Sequence, residues 1–237
     1  MMKIKVFLLC WVFTSVLCSH AQEFSVDLLS GRVAVAMRDD LSGLQPEVVE
    51  AFKKMAEAAA KEGVVLKVVS GFRSYSRQAE IWNDKYKTYR KEGLTPLQVV
   101  ERITEYSTIP GTSRHHWGTD MDLVDEAAGE TEGLLVADKF EDGGPFAKMK
   151  QWMDAHAGDY GFFLVYTNDP DRKGFHYEPW HYSYAPLSKP MLKAFLELEL
   201  ESLIEPAELY GGQLLRGRLL EAYKNEHIMD INPQLKN

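Results

Sequence analysis

Between Pro46 and Lys61 the apolar residues Val48, Val49, Phe52, Met55, Ala56 and Ala59 return every three or four positions, which collects them on one face of a helix. Pro46 suits the first turn of that helix and Gly63 its stop. The run 64–69 is rich in β-branched residues and closed by Ser70-Gly71, so it predicts a strand that hands Phe72, Arg73 and Ser74 to a loop. Helical spacing resumes over 76–91 and 96–106 and breaks at Pro110-Gly111. Residues 119–124 alternate as a strand does, which places Asp120 and Asp122 on one face. A further helix is predicted over 146–156 and a buried strand over 162–166. The aromatic segment 175–184 reads as extended, with Pro179 interrupting any ladder and Glu178 and His181 at a strand end or edge. From Lys189 onward Met191, Phe195, Leu198, Leu203, Leu209, Leu215 and Leu219 predict a helical tail packed on the rest. Helices and strands are interspersed without a βαβ rhythm, which predicts an α+β fold.

The first residues follow a different pattern. Lys3 and Lys5 precede an apolar run over 6–17, and Ser19-His20-Ala21 offers small residues where a signal peptidase reads, so a signal peptide over 1–21 is expected. The run is shorter than the roughly 20 apolar residues of a spanning helix. Cys18 ends it, but the bulky Leu17 just before it argues against a lipid-attachment signal. Both cysteines, Cys10 and Cys18, lie in this leader, so the exported chain is expected to carry no disulfide.

A chain of 237 residues, 45% hydrophobic, is long enough for one well-buried core. The expected organisation is a catalytic domain over 22–187 and a helical extension over 188–237, in a monomer. The leader carries two of the 27 basic residues and none of the 35 acidic ones, which leaves the mature chain at −10. That charge argues against nucleic acid or an anionic membrane as partner and favours a small or uncharged substrate held by a local cation.

Candidate chemistry is concentrated in Ser113-Arg114-His115-His116-Trp117-Gly118-Thr119-Asp120-Met121-Asp122 and in Glu178-Pro179-Trp180-His181. Two imidazoles, a carboxylate and a separate glutamate are what a catalytic zinc site with one open position requires. Spacing by itself leaves His116 and His176 as alternatives to the ligating histidines.

Ser113-x-His115-x-x-Gly118-x-x-x-Asp122, followed by Glu178-x-x-His181, resembles the zinc D-alanyl-D-alanine carboxypeptidases of the VanY type. A third segment, Ser70-Gly71-Phe72-Arg73-Ser74-Tyr75-x-x-Gln78, extends the likeness, which spans 46–184. The family also contains D-Ala-D-Ala dipeptidases and L,D-carboxypeptidases. The resemblance implies the small α+β D,D-peptidase, or hedgehog-like, fold with a mainly antiparallel sheet. It implies one Zn2+ per chain on His115, Asp122 and His181, with Glu178 as catalytic base and Arg73 facing the substrate. Gln78 and Ser113 would bond the peptide, while Trp117, His176 and Trp180 would wall the pocket or orient ligands. Asp120 departs from the family's usual alanine. It is expected to orient a histidine from behind, because a second carboxylate would overfill the metal, and the other reading is a pocket group that alters specificity.

The implied substrate is the C-terminal D-alanine of peptidoglycan stem peptides, met in the periplasm or at the cell surface. Within enzymes the alternatives are an L,D-carboxypeptidase, a D-Ala-D-Ala dipeptidase or a wall endopeptidase. Outside them the alternative is a peptidoglycan-binding module without turnover.

Overall fold

The computed structural model describes residues 24–33, 43–129 and 131–236. The expected signal peptide lies outside them. Among the described residues, no helix is long and apolar enough to cross a membrane.

A short helix α1 (Val26–Leu29) precedes α2 (Pro46–Lys61), which has Pro46 in its first turn and buries Val48, Val49, Phe52, Met55 and Ala59. Strand β1 (Leu66–Ser70) follows, then α3 (Tyr75–Lys91), whose Ser74 side chain caps the amide of Arg77. Helix α4 (Pro96–Thr104) opens with a reciprocal Thr95–Gln98 capping box. Strand β2 (Asp120–Asp125), helix α5 (Ala147–His156) and strands β3 (Phe162–Leu164) and β4 (His181–Tyr184) complete the central part. Helices α6 (Ala185–Leu196), α7 (Leu200–Leu203) and α8 (Arg218–Tyr223) end the chain.

The four strands form one antiparallel sheet in the order β1-β2-β4-β3. Its register sets the site: Asp122 lies opposite His181, and Asp120 lies opposite Ser183. Side chains alternate across a strand, so these four share one face. Met121, Leu123 and Tyr182 point the other way, into a core built with Phe52, Met55, Trp152 and Phe162. A register irregularity between Val68 and Ser70 ends β1 where the chain turns toward Arg73.

The second core lies around Trp82, Val99, Ile103 and Trp117, and the tail contributes Met191, Phe195, Leu203, Leu209, Leu220, Tyr223 and Leu235 to it. The tail is less regular than its leucine spacing predicts. Pro206, Gly211-Gly212 and Gly217 break it into α7, 3-10 turns and α8, while Leu203, Leu209, Leu215 and Leu220 stay buried and Leu198 and Leu219 are partly buried. Helix α6 also starts earlier than expected, directly after β4, because Pro186 fits a first turn.

Candidate metal centre

Each proposed ligand is fixed by a separate piece of local structure. His115 sits in a 3-10 turn (Arg114–Trp117) that Gly118 ends in the left-handed conformation at φ 65°. Its Nδ1 lies 2.7 Å from the carbonyl of Gly71, which can only accept, so Nδ1 carries the proton and Nε2 is left as a lone pair. Nε2 is 3.6 Å from Asp122 Oδ2. His181 is held the other way round. Its Nε2 donates to Asp120 Oδ2 at 3.1 Å, while Nδ1 faces Glu178 Oε2 at 2.9 Å and Asp122 Oδ1 at 4.0 Å.

One ligand atom from each of His115, Asp122 and His181 lies within 4.8 Å of the others, and all three residues are buried. Asp122 Oδ1 is buried with no hydrogen-bond partner. An orphaned carboxylate oxygen beside the bare Nε2 of His115 and the Nδ1 of His181, whose proton a metal would displace, is a donor set that fits a divalent cation such as zinc. Burial alone would raise the Asp122 carboxyl, but His115, His181 and Arg73 outweigh it and hold the pKa below the ordinary value. Burial likewise opposes charge on His181, yet its bonds to Asp120 and Glu178 carry its pKa up to about 10 when no metal competes for Nδ1.

Glu178, Arg73, Ser113, His176 and Trp180 all line one cleft of about 670 Å³ with the three ligands. Arg73 donates to Gln78 Oε1 at 3.1 Å and to Ser70 Oγ at 3.0 Å, two neutral acceptors that aim the guanidinium without cancelling its charge. Burial lowers its pKa. His176 is exposed and stacks on Tyr106 at 4.6 Å, and Trp180 packs at 5.6 Å against Phe140.

Several residues stand elsewhere than expected. Gln78 is fully buried behind Arg73, with its amide nitrogen given to the Thr108 carbonyl, so it orients the arginine instead of reaching into the cleft. Trp117 is a core residue against Phe195 and donates to the Leu29 carbonyl. Asp120 is fully buried and does not line the cleft, which removes a direct pocket role. His116 turns away from the cluster: Nδ1 donates to the Arg73 carbonyl at 2.6 Å and Nε2 accepts from the Gly111 amide at 3.1 Å. Burial pushes its pKa down to about 3, so it stays neutral in that clip.

Sequence reasoning missed Arg114. Its side chain is buried against Asp120, with Nε to Oδ2 at 2.7 Å. The signal was the uncompensated acid at Asp120, which demands a counter-charge when buried.

A small antiparallel sheet with a His-Asp-His cluster on one face, flanked by helices, defines the D,D-peptidase fold class. A crystal structure of a mutant vancomycin-resistance D,D-pentapeptidase VanY, from a VanB-type resistance cassette and in complex with Zn(II), shares it. The TM-score is 0.52 at 24% identity, covering 71% of this chain and 89% of that one. Residues 41–187 match the family model for VanY D-alanyl-D-alanine carboxypeptidases, and the chain belongs to that family. It is 31% identical over 163 residues to YodJ of Bacillus subtilis (strain 168), whose name places it provisionally among carboxypeptidases; the match covers 68% of this chain and 54% of that one. A D-alanyl-D-alanine carboxypeptidase of Enterococcus faecalis (strain ATCC 700802 / V583) is 29% identical over 129 residues, 54% of this chain and 43% of its own. The chain thus spans about half the length of these curated relatives.

Proposed function

We propose that the protein is a zinc-dependent carboxypeptidase that removes the C-terminal D-alanine from peptidoglycan stem peptides. The observation that carries this reading is the convergence of three ligand atoms within 4.8 Å on a cleft that also presents Glu178 and Arg73. The VanY family and the Zn(II) complex of its structural neighbour support the choice of metal and substrate class.

His115 Nε2, Asp122 and His181 Nδ1 would hold the zinc, which when bound polarises the scissile carbonyl and makes water nucleophilic near neutral pH. Glu178 is the base. Its carboxylate lies beside a ligand nitrogen, takes the proton from the attacking water and returns it to the leaving amine. Arg73 presents a fixed fork of donors to the substrate carboxylate or to the carbonyl oxygen as it gains charge. The candidate leader over 1–21 supports export to the periplasm or cell surface.

Incubation of the zinc-loaded protein with muropeptides bearing tripeptide, tetrapeptide or pentapeptide stems, with and without chelator, tests the assignment. Chelator-sensitive loss of one alanine from the pentapeptide alone is expected. Trimming of the tetrapeptide would make it an L,D-enzyme, release of a dipeptide a dipeptidase, and no cleavage a binding module.

A further inference from the structure

The carboxylate of Asp120 accepts five hydrogen bonds. Oδ2 takes Arg114 Nε at 2.7 Å and His181 Nε2 at 3.1 Å. Oδ1 takes Ser183 Oγ at 2.7 Å, Thr119 Oγ1 at 2.8 Å and Arg114 Nη2 at 3.4 Å. A carboxylate offers about four lone-pair directions, so its acceptor capacity is used and none remains for a metal. Arg114 Nη2 also reaches Ser183 Oγ at 2.7 Å, and its guanidinium lies over the Trp117 ring at 4.8 Å.

The sheet register explains the placement. Asp120 lies opposite Ser183, one pleat along from the Asp122–His181 pair and on the same face. It therefore meets His181 from the side away from Glu178. A carboxylate can only accept, so Nε2 gives its proton to Asp120, and a metal taking Nδ1 displaces only the proton that faces Glu178 Oε2. Arg114 reaches both ligating histidines: its backbone adjoins His115, and its side chain grips the carboxylate that holds His181.

We propose that Arg114 and Asp120 form one positioning unit, in which Asp120 fixes the ring orientation of His181 through its Nε2–H and Arg114 neutralises and aims Asp120. The inference rests on His115, Asp122 and His181 being metal ligands.

The two residues bury opposite charges, so removing either alone strands the other and damages the fold. Removing both takes away that penalty and isolates the positioning effect. The test uses the full chain in three variants, Asp120→Ala, Arg114→Leu and the pair together. Readouts are melting temperature, zinc affinity of the metal-free protein by competition with a chromophoric chelator, and the exchange protection of the His181 Nε2–H by nitrogen-15 NMR of the zinc-loaded protein. Both single variants are expected to melt well below the parent and the double variant close to it. The double variant binds zinc about 10- to 100-fold more weakly and loses the exchange protection of the His181 Nε2–H. A double variant with parental zinc affinity and an equally protected His181 Nε2–H overturns the proposal. So does one that melts as low as the single variants, because the pair would then serve the fold. A parent protein that binds no zinc overturns the ligand assignment itself, and the proposal with it.

Discussion

The imidazole of His116 donates to the backbone carbonyl of Arg73 at 2.6 Å, so the residue next to one candidate metal ligand holds the loop that carries the candidate substrate cation. The same ring accepts the Gly111 amide, which ties the break before the motif into the same clip. The Arg73 loop and the segment from Gly111 to His116 are thereby fastened to each other.

Replacing His116 by alanine leaves a buried carbonyl and a buried amide unpaired and opens a cavity. A loss of about 2–4 kcal/mol in urea unfolding is expected. Arg73 should also become less well positioned, with kcat/KM falling while zinc content is retained. Parental stability in this variant would contradict the clip.

The pH dependence of the metal-free protein has two limbs. His116 is neutral in the fold with a pKa of about 3, against 6.5 in the unfolded chain, so its contribution is complete above pH 6.5 and is lost as pH falls toward 3. His181 has the opposite sign: with a folded pKa of about 10, its contribution is complete below pH 6.5 and is lost as pH rises toward 10. Each limb has a limiting slope of ~1.4 kcal/mol per pH unit. Melting temperatures in chelator should peak near neutrality, whereas a steady rise to pH 9 would refute the His181 assignment.

Glu178→Gln keeps the shape of the side chain and removes the base. Turnover should fall by roughly 10²–10⁴-fold with zinc content unchanged. Steady-state kinetics with parallel metal analysis checks this, and full activity would transfer the base to another residue.

Arg73→Lys keeps a positive charge but loses the fork that bonds Gln78 and Ser70 together. A drop of about 10²-fold in kcat/KM is expected, on the scale of removing one donor from a transition-state oxygen site. A variant with parental kinetics would show that charge alone suffices.

Tyr223→Phe removes the hydroxyl that accepts the Ile109 amide at 3.2 Å and meets Thr112 Oγ1 at 2.9 Å. The stranded buried amide should lower stability by about 1–3 kcal/mol. Thermal unfolding measures it, and no change would mean water replaces the hydroxyl.

What was legible in the sequence follows from periodicity. Alternation over 119–124 put Asp120 and Asp122 on one face before any pairing was known, and the spacing of Val48, Phe52 and Met55 located α2 to the residue. Direction was not legible. Neighbouring histidines look alike along a chain, and only the carbonyls of Gly71 and Arg73 separate His115, facing the cleft, from His116, facing away. Gln78 and Arg114 were obscure for a related reason, because their partners Thr108 and Asp120 depend on tertiary placement. The tail's leucines announced burial, but the glycines and prolines between them decided its shape.

That tail grips the turns on either side of the site. A Cβ on Gly111 would strike the Leu203 carbonyl and one on Gly174 the Glu226 carbonyl, while the Asp230 carboxylate accepts the amides of Lys173 and Gly174. The bond from the Ile109 amide to the Tyr223 hydroxyl closes the longest of these loops, 114 residues apart, the kind of long-range closure that forms slowly. The last helices thus clamp the turns that flank the ligand cluster, so truncating the chain before Leu203 would remove the backing of both turns.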